Sequence, residues 1–431
     1  MRYERQTLVR ELYENSPIAH DLLNRLAKLG QKKYGFCENE MIKNLTVEQI
    51  SQMIAHLVDE SEFDKLLEIV DQSPLEFGEA QMPQHTDAVF CECSIEMAEQ
   101  YFSEAGRLGI NRVVVPWKLS ESETECQKLI QSAHDAGVKL LVKLDLHSGA
   151  GEATLDWSDS AVRTEVHHNL KKLIQQGCDG FCLENADLLA SDGREEFLFA
   201  PETEIYLRAI MEQVIAPAGA ELIGRTYFDG LAAAASRTGT NPILHFSAGY
   251  LLFDGMDRND TETVDLNDYK NWIQERIKDM PMYWPLLSTE TAAGISLSRL
   301  AERDPELEKK TAELLLLLQC MLRGTPYLLQ QDIKGHEGFV QKLLQLRNAN
   351  PALTEGTLEL QNERLYDLMT FVRNREDGTQ FYVECNLSSN TNVLPYDRPK
   401  HAEKIISNYE GDTEVLRPYE AAVYRISPET A

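Results

Sequence analysis

The stretch "LKKLIQQGCDGFCLENA", residues 170–186, decides the fold. A helical pattern runs to Gly177, a short apolar run follows from Gly180, and it stops on Glu184 and Asn185. Helix, glycine, short strand and a carboxylate at its tip make up half of a βαβ unit. The same alternation extends in both directions. "AVFCEC" precedes "IEMAEQYFSEAGRLG", and "RVVVP" precedes "ESETECQKLIQSAHDAG". "VKLLVKLDL" precedes "DSAVRTEVHHNLKKLIQQG", and "DGFCLENA" precedes "ETEIYLRAIMEQVIAPAG". "ELIGRTYF", "PILHFSAGYLLF", "MYWPLLSTE" and "TPYLLQQ" are four further strand candidates. Roughly eight strands between residues 85 and 350 is the size of a (β/α)8 barrel. A doubly wound open sheet competes, and it loses because no glycine-rich phosphate turn follows any strand.

The flanks read differently. Residues 1–84 carry apolar residues at three- and four-residue steps, and Ser16 and Pro17 mark a helix start. They are expected to form a helical region, packed on the barrel or serving a protein partner or self-association. Beyond residue 351 the period falls to two. "LMTFVRNREDGTQFYVECNLSS" is a hairpin turning at Asp377-Gly378, and "KIISNYEG" and "EVLRPYEAAVYRI" complete an antiparallel β-sandwich domain over 351–431. The expected fold class is therefore α/β, a (β/α)8 barrel between a helical N-terminal region and a C-terminal antiparallel β domain.

Composition excludes several functions. With 42 basic against 70 acidic residues the formal charge is −28, which argues against nucleic acid and anionic membranes as partners. Mean hydropathy is −0.36, and no apolar run is long enough to span a bilayer; "AELLLLLQCML" reads as a buried helix. The eight cysteines fall largely in apolar runs, with no second Cys/His pair at zinc spacing, so neither metal nor cofactor is expected. A reduced cytoplasmic chain is the simplest expectation. The pair in "EVHHNL" reads as a solvated helix face.

Several phrases in combination resemble the α-amylase superfamily, glycoside hydrolase family 13, over about residues 100–427: "LGINRVVVPWKL", "IQSAHDAGVKLLVKLDL", "LDWSDSAVRTEVHHNLKKLIQQGCDGFCLENADLL", "LLLLLQCMLRGTPYLLQQDIKG" and "FVQKLLQLRNANPALTEG". The resemblance implies an Asp nucleophile, a Glu acid/base and a third, sugar-binding Asp at the C-terminal barrel face, with the first two about 5–5.5 Å apart for a retaining reaction. This chain departs from that set position by position. "DLHSGA" keeps Asp145, but Gly149 and Ala150 stand where an amide and an imidazole belong. Cys182 replaces the Arg that orients the nucleophile, and the nucleophile position is Glu184. Arg225 of "ELIGRTYF" occupies the acid/base position, and a guanidinium neither gives nor takes a proton at any working pH. Thr289-Glu290 stands in the fourth signature, and the loop after Asp145 is too short for the family's inserted domain.

The resemblance therefore implies a catalytically degenerate member, a pseudoenzyme acting as a non-hydrolytic scaffold or sensor for a small saccharide. Glu184, Arg225 and Glu290 are expected to form a salt-bridged cluster, with Asp145 and Trp117 beside it at the mouth. The competing expectation is an active glycosidase, glucosyltransferase or isomerase on a small saccharide or sugar phosphate. In that reading the surviving carboxylates, with Glu92, would do the chemistry and Arg225 would clamp an anionic group.

Overall fold

The computed structural model describes residues 3–15, 39–72, 86–118, 123–146, 155–157, 159–186, 201–225, 238–245, 286–288 and 305–427, apart from 363, 364, 366 and 412, with single positions at 19, 23, 26, 27, 30, 37, 189 and 270. Eight parallel strands follow one another in chain order and close into a barrel. They are β1 (Phe90–Glu92), β2 (Arg112–Pro116), β3 (Lys139–Asp145), β4 (Gly180–Glu184), β5 (Glu221–Arg225), β6 (Asn241–His245), β7 (Leu286–Ser288) and β8 (Thr325–Leu329). Ser16 and Pro17, the expected helix start, lie outside the described residues, as do Trp272 and Trp284.

The chain forms two compact units. Residues 1–83, 117–126 and 141–242 make the first; residues 84–116, 127–140 and 243–431 make the second. In the first unit, the N-terminal residues build a core from their own side chains. Val9, Leu12, Leu23, Leu26, Val47, Ile50, Ile54, Phe63, Leu66 and Val70 are buried together. The Val47–Ile54 helix begins with a reciprocal cap between Thr46 and Gln49. Arg5 ties the ends of this region together, reaching Glu48 at 3.1 Å, Glu60 at 3.2 Å and Asp64 at 2.7 Å.

In the second unit, the Ile95–Leu108 helix buries Ala98, Tyr101, Phe102, Ala105 and Leu108, one face at helical spacing. Gly109 ends it at φ +96°, a left-handed turn that glycine adopts without steric cost. After the barrel comes a five-stranded antiparallel sheet of β9 (Thr357–Gln361), β10 (Leu368–Asn374), β11 (Gln380–Asn386), β13 (Ala402–Ser407) and β15 (Ala421–Ile426), in the order β13-β15-β11-β10-β9. A two-stranded sheet pairs β12 (Asn392–Val393) with β14 (Val415–Leu416). The β10–β11 hairpin turns at Asp377-Gly378 as the sequence predicts, with Gly378 at φ +83°.

Two fully buried arginines join this sheet to the end of the barrel. Arg347 donates to the carbonyls of Cys320 (2.8 Å), Gly324 (2.6 Å) and Leu353 (2.8 Å). Arg373, on β10, donates to those of Met321 (2.7 Å), Leu322 (3.0 Å), Gly356 (3.0 Å) and Thr357 (3.1 Å). Burial pushes the Arg347 guanidinium down to about 10 and the Arg373 guanidinium well below its ordinary value. The carbonyls sit where the Pro305–Met321 helix ends and β8 and β9 begin, so each guanidinium satisfies chain ends that would otherwise be buried without donors. Replacing Arg373 by Met strips four carbonyls of their donor. Equilibrium denaturation of Arg373→Met is expected to show a loss of at least about 3 kcal/mol. A loss under about 1 kcal/mol would contradict this role.

Candidate functional site

Four strands end on a charged residue: Glu92 on β1, Asp145 on β3, Glu184 on β4 and Arg225 on β5. All stand at the C-terminal ends of parallel barrel strands, the face where barrel enzymes carry their chemistry. The register of β4 against β5 is pinned at the opposite end, where Gly180 pairs with Glu221. A Cβ at position 180 would lie 2.4 Å from the Glu221 carbonyl oxygen, so only glycine permits this approach. Four residues further along each strand, the approach delivers Glu184 and Arg225 side by side.

Arg225 Nη1 lies 3.5 Å from Glu184 Oε1, with the arginine side chain 10% and the glutamate side chain 26% exposed. A second cation reaches the same carboxylate, Lys143 Nζ standing 3.5 Å from Glu184 Oε2. Lys143 was not anticipated. It pairs in register with Cys182, the position where the resemblance expects a cation two residues before the nucleophile. Cys182 is fully buried, and the positive charge comes from the neighbouring strand instead. The only sequence signal is spacing: Lys143 precedes Asp145 by two residues on one strand, so both side chains leave the same side. Asp145 is the register partner of Glu184, and its Oδ2 accepts a long hydrogen bond of 3.5 Å from Asn185 Nδ2.

Trp117 directly follows β2. Its backbone N–H donates to the Lys143 carbonyl at 2.9 Å, drawing the residue onto β3. The residue is only 7% exposed, so the ring is packed and offers no open face for stacking on a sugar. Glu290, the third member of the expected cluster, lies outside the described residues. Behind β3, Trp157 is buried and donates from Nε1 to the Leu146 carbonyl at 3.0 Å. Its ring stacks on Tyr206 with centroids 5.5 Å apart, and Arg163 lies over the other partner, 5.4 Å from the Tyr206 centroid. In the second unit, Glu92 Oε2 accepts a 2.7 Å hydrogen bond from the Tyr327 hydroxyl.

His167 also differs from the sequence reading. It is half-buried, and burial lowers its imidazole below the ordinary value despite a hydrogen bond with Gln213. Gln213 lies in the π-helical segment Met211–Ile215, a local widening that the residue pattern does not reveal. His168 is exposed. Among the described residues no group of His, Cys, Asp and Glu could hold a metal ion, and no helix is long and apolar enough to cross a membrane.

No family model and no curated protein matches this chain. Solved structures do. Trehalose-6-phosphate hydrolase of Bacillus licheniformis superposes with a TM-score of 0.64 at 14% identity, covering 80% of this chain and 99% of that one. The trehalulose synthase MutB of Pseudomonas mesoacidophila MX-45 superposes with a TM-score of 0.65 at 12% identity, covering 81% of this chain and 100% of that one. The fold is shared. At such identities the likeness carries the barrel and its C-terminal sheet, and the chemistry has to be argued from this chain's own side chains.

Two cations stand beside the Glu184 carboxylate, an ammonium from β3 and a guanidinium from β5. Arg225→Glu would install a carboxyl at that position and set two like charges side by side in a half-buried setting. Thermal and urea denaturation should show it destabilised by about 2 kcal/mol at neutral pH, with part of the loss recovered as the pH falls and one carboxyl takes up a proton. A variant as stable as the parent would mean that Arg225 does not neutralise Glu184.

Proposed function

We propose that this chain is a degenerate relative of the α-amylase superfamily whose barrel mouth binds a small saccharide without hydrolysing it. The observation that carries the reading is the Arg225 guanidinium at the end of β5, 3.5 Å from Glu184. Glycoside hydrolysis needs an acid to protonate the departing oxygen and the same group as base in the second step of a retaining reaction. That assistance is worth about 10²–10⁴-fold, and a guanidinium provides none of it. Glutamate at the nucleophile position adds a methylene, and a displacement of about 1 Å in a reacting atom can cost ~10²-fold by itself.

The sequence phrases given above and the fold shared with a trehalose-6-phosphate hydrolase and a trehalulose synthase support the saccharide as ligand class. The names of those two neighbours also support the competing reading, an active hydrolase or isomerase on a small saccharide or sugar phosphate. Asp145 and Glu184, register partners at adjacent strand ends, would be its working groups. The two readings part on turnover. Wild-type protein is titrated calorimetrically with maltose, trehalose and methyl α-glucoside, and the same mixtures are followed by NMR for new anomeric signals. Saturable heat with no product above buffer is the expected result. Product formation that disappears in Glu184→Gln would overturn the non-hydrolytic reading.

A further inference from the structure

Asn185 stands directly after Glu184, where β4 ends. Its φ is +49°, a left-handed backbone that a residue with a Cβ seldom adopts. The other non-glycine residues with a left-handed φ among the described residues are Asn362, His401 and Tyr419, all beyond the barrel. Asn185 is thus the one such described residue at the end of a barrel strand. In an extended strand, residue 185 would project away from the side that Glu184 takes. The turn at 185 changes that direction, and the carboxamide reaches across to β3, where Nδ2 donates to Asp145 Oδ2 at 3.5 Å. Glycine would adopt the same φ at no steric cost, so what asparagine adds here is the amide itself.

We propose that Asp145 and Asn185 form a diol clamp, holding the saccharide through two adjacent hydroxyls, one on the Asp145 carboxylate and its neighbour on the Asn185 carboxamide. The inference rests on the saccharide-binding reading and adds to it the part of the sugar that is recognised.

Access and chemistry both favour the clamp. Asp145 is exposed and Asn185 half-buried, so the pair opens to solvent without any side chain having to move. A carboxylate offers two oxygens with roughly four lone-pair sites, and an exposed one keeps sites on its solvent side whatever it bonds within the protein. Among the described residues the Asn185 side chain bonds to Asp145, which leaves its carbonyl oxygen and second N–H for a ligand. A carboxylate only accepts, whereas an amide both accepts and donates. Side by side they match neighbouring hydroxyls, each of which is donor and acceptor at once. A sugar lacking one of the two hydroxyls would leave a polar group of the site without its partner.

The test is calorimetric binding of methyl α-glucoside and its monodeoxy analogues, one for each free hydroxyl, to wild type, Asn185→Gly, Asn185→Asp and Asp145→Ala. Each protein is first checked for a cooperative melt. In wild type, two analogues that lack adjacent hydroxyls are expected to bind about 10-fold more weakly than the parent glucoside. Asn185→Gly retains the left-handed turn and is expected to melt as wild type does, while removing the penalty for one of those two deletions. Asp145→Ala should remove the penalty for the other. Aspartate also tolerates a left-handed φ, so Asn185→Asp is the second variant at this position. It keeps an acceptor and loses the N–H donor, and the same hydroxyl should be the one whose penalty changes.

An amide that only braced Asp145 would weaken every analogue alike and leave the hydroxyl profile unchanged. That result would overturn the clamp while leaving the saccharide reading intact, and so would sensitivity confined to hydroxyls that are not adjacent. Wild type that binds neither the glucoside nor any analogue would overturn both. Glucoside turnover abolished in Glu184→Gln, with the hydroxyl profile retained, would overturn the non-hydrolytic reading alone.

Discussion

The pairing of Glu184 with Arg225 is the constraint on which the mouth of this barrel depends. Neither group can be changed alone without consequence: a lone carboxylate or guanidinium there would be a half-buried charge without its neighbour. The pair exists because β4 and β5 run in parallel with Gly180 against Glu221, and the absence of a Cβ at 180 lets the backbones meet. A backbone contact at the bottom of the strands thereby fixes the electrostatics at the top. Lys143 adds a second positive charge from β3, so two cations flank the Glu184 carboxylate.

Elsewhere the chain also relies on arginine, with a different chemistry. Arg347 and Arg373 are satisfied by backbone carbonyls at helix and strand ends, and their positive charge stays buried at a cost that burial makes visible in both groups. They act as rigid forks of donors, which is why lysine would not replace them. At Glu184, by contrast, the charge itself matters. One residue type thus secures the junction of barrel and sheet in one place and neutralises the strand ends in another.

Much of this was legible in the residues. β-branched runs such as "RVVVP" alternate with helices at a spacing that leaves few alternatives to a parallel barrel, and "EDG" between two alternating runs identified the hairpin. Glu184 and Arg225 could be assigned to strand tips because each closes an apolar run. Lys143 could not, because in "VKLLVKLDL" both lysines look like the polar phase of an alternating strand; only the register with Cys182 shows where the second one goes. Trp117 follows β2, and its main chain bonds to Lys143 while the residue is buried. β9, β12 and β14 are too short or too polar to stand out, and they are strands through their partners. His167 looks solvated in a helical pattern and is half-buried, with a hydrogen bond to Gln213 of a π-helical segment. Local pattern determined the elements, and packing between strands determined which charges meet.

The most direct measurement is a double-mutant cycle on the stability of four proteins: wild type, Glu184→Gln, Arg225→Met and the double variant, by urea denaturation at neutral pH. A favourable coupling of about 1 kcal/mol between the two sites is the expected result, since the side chains are in contact and largely removed from water. Additive effects, with a coupling within about 0.3 kcal/mol of zero, would contradict it and leave Glu184 available for other chemistry.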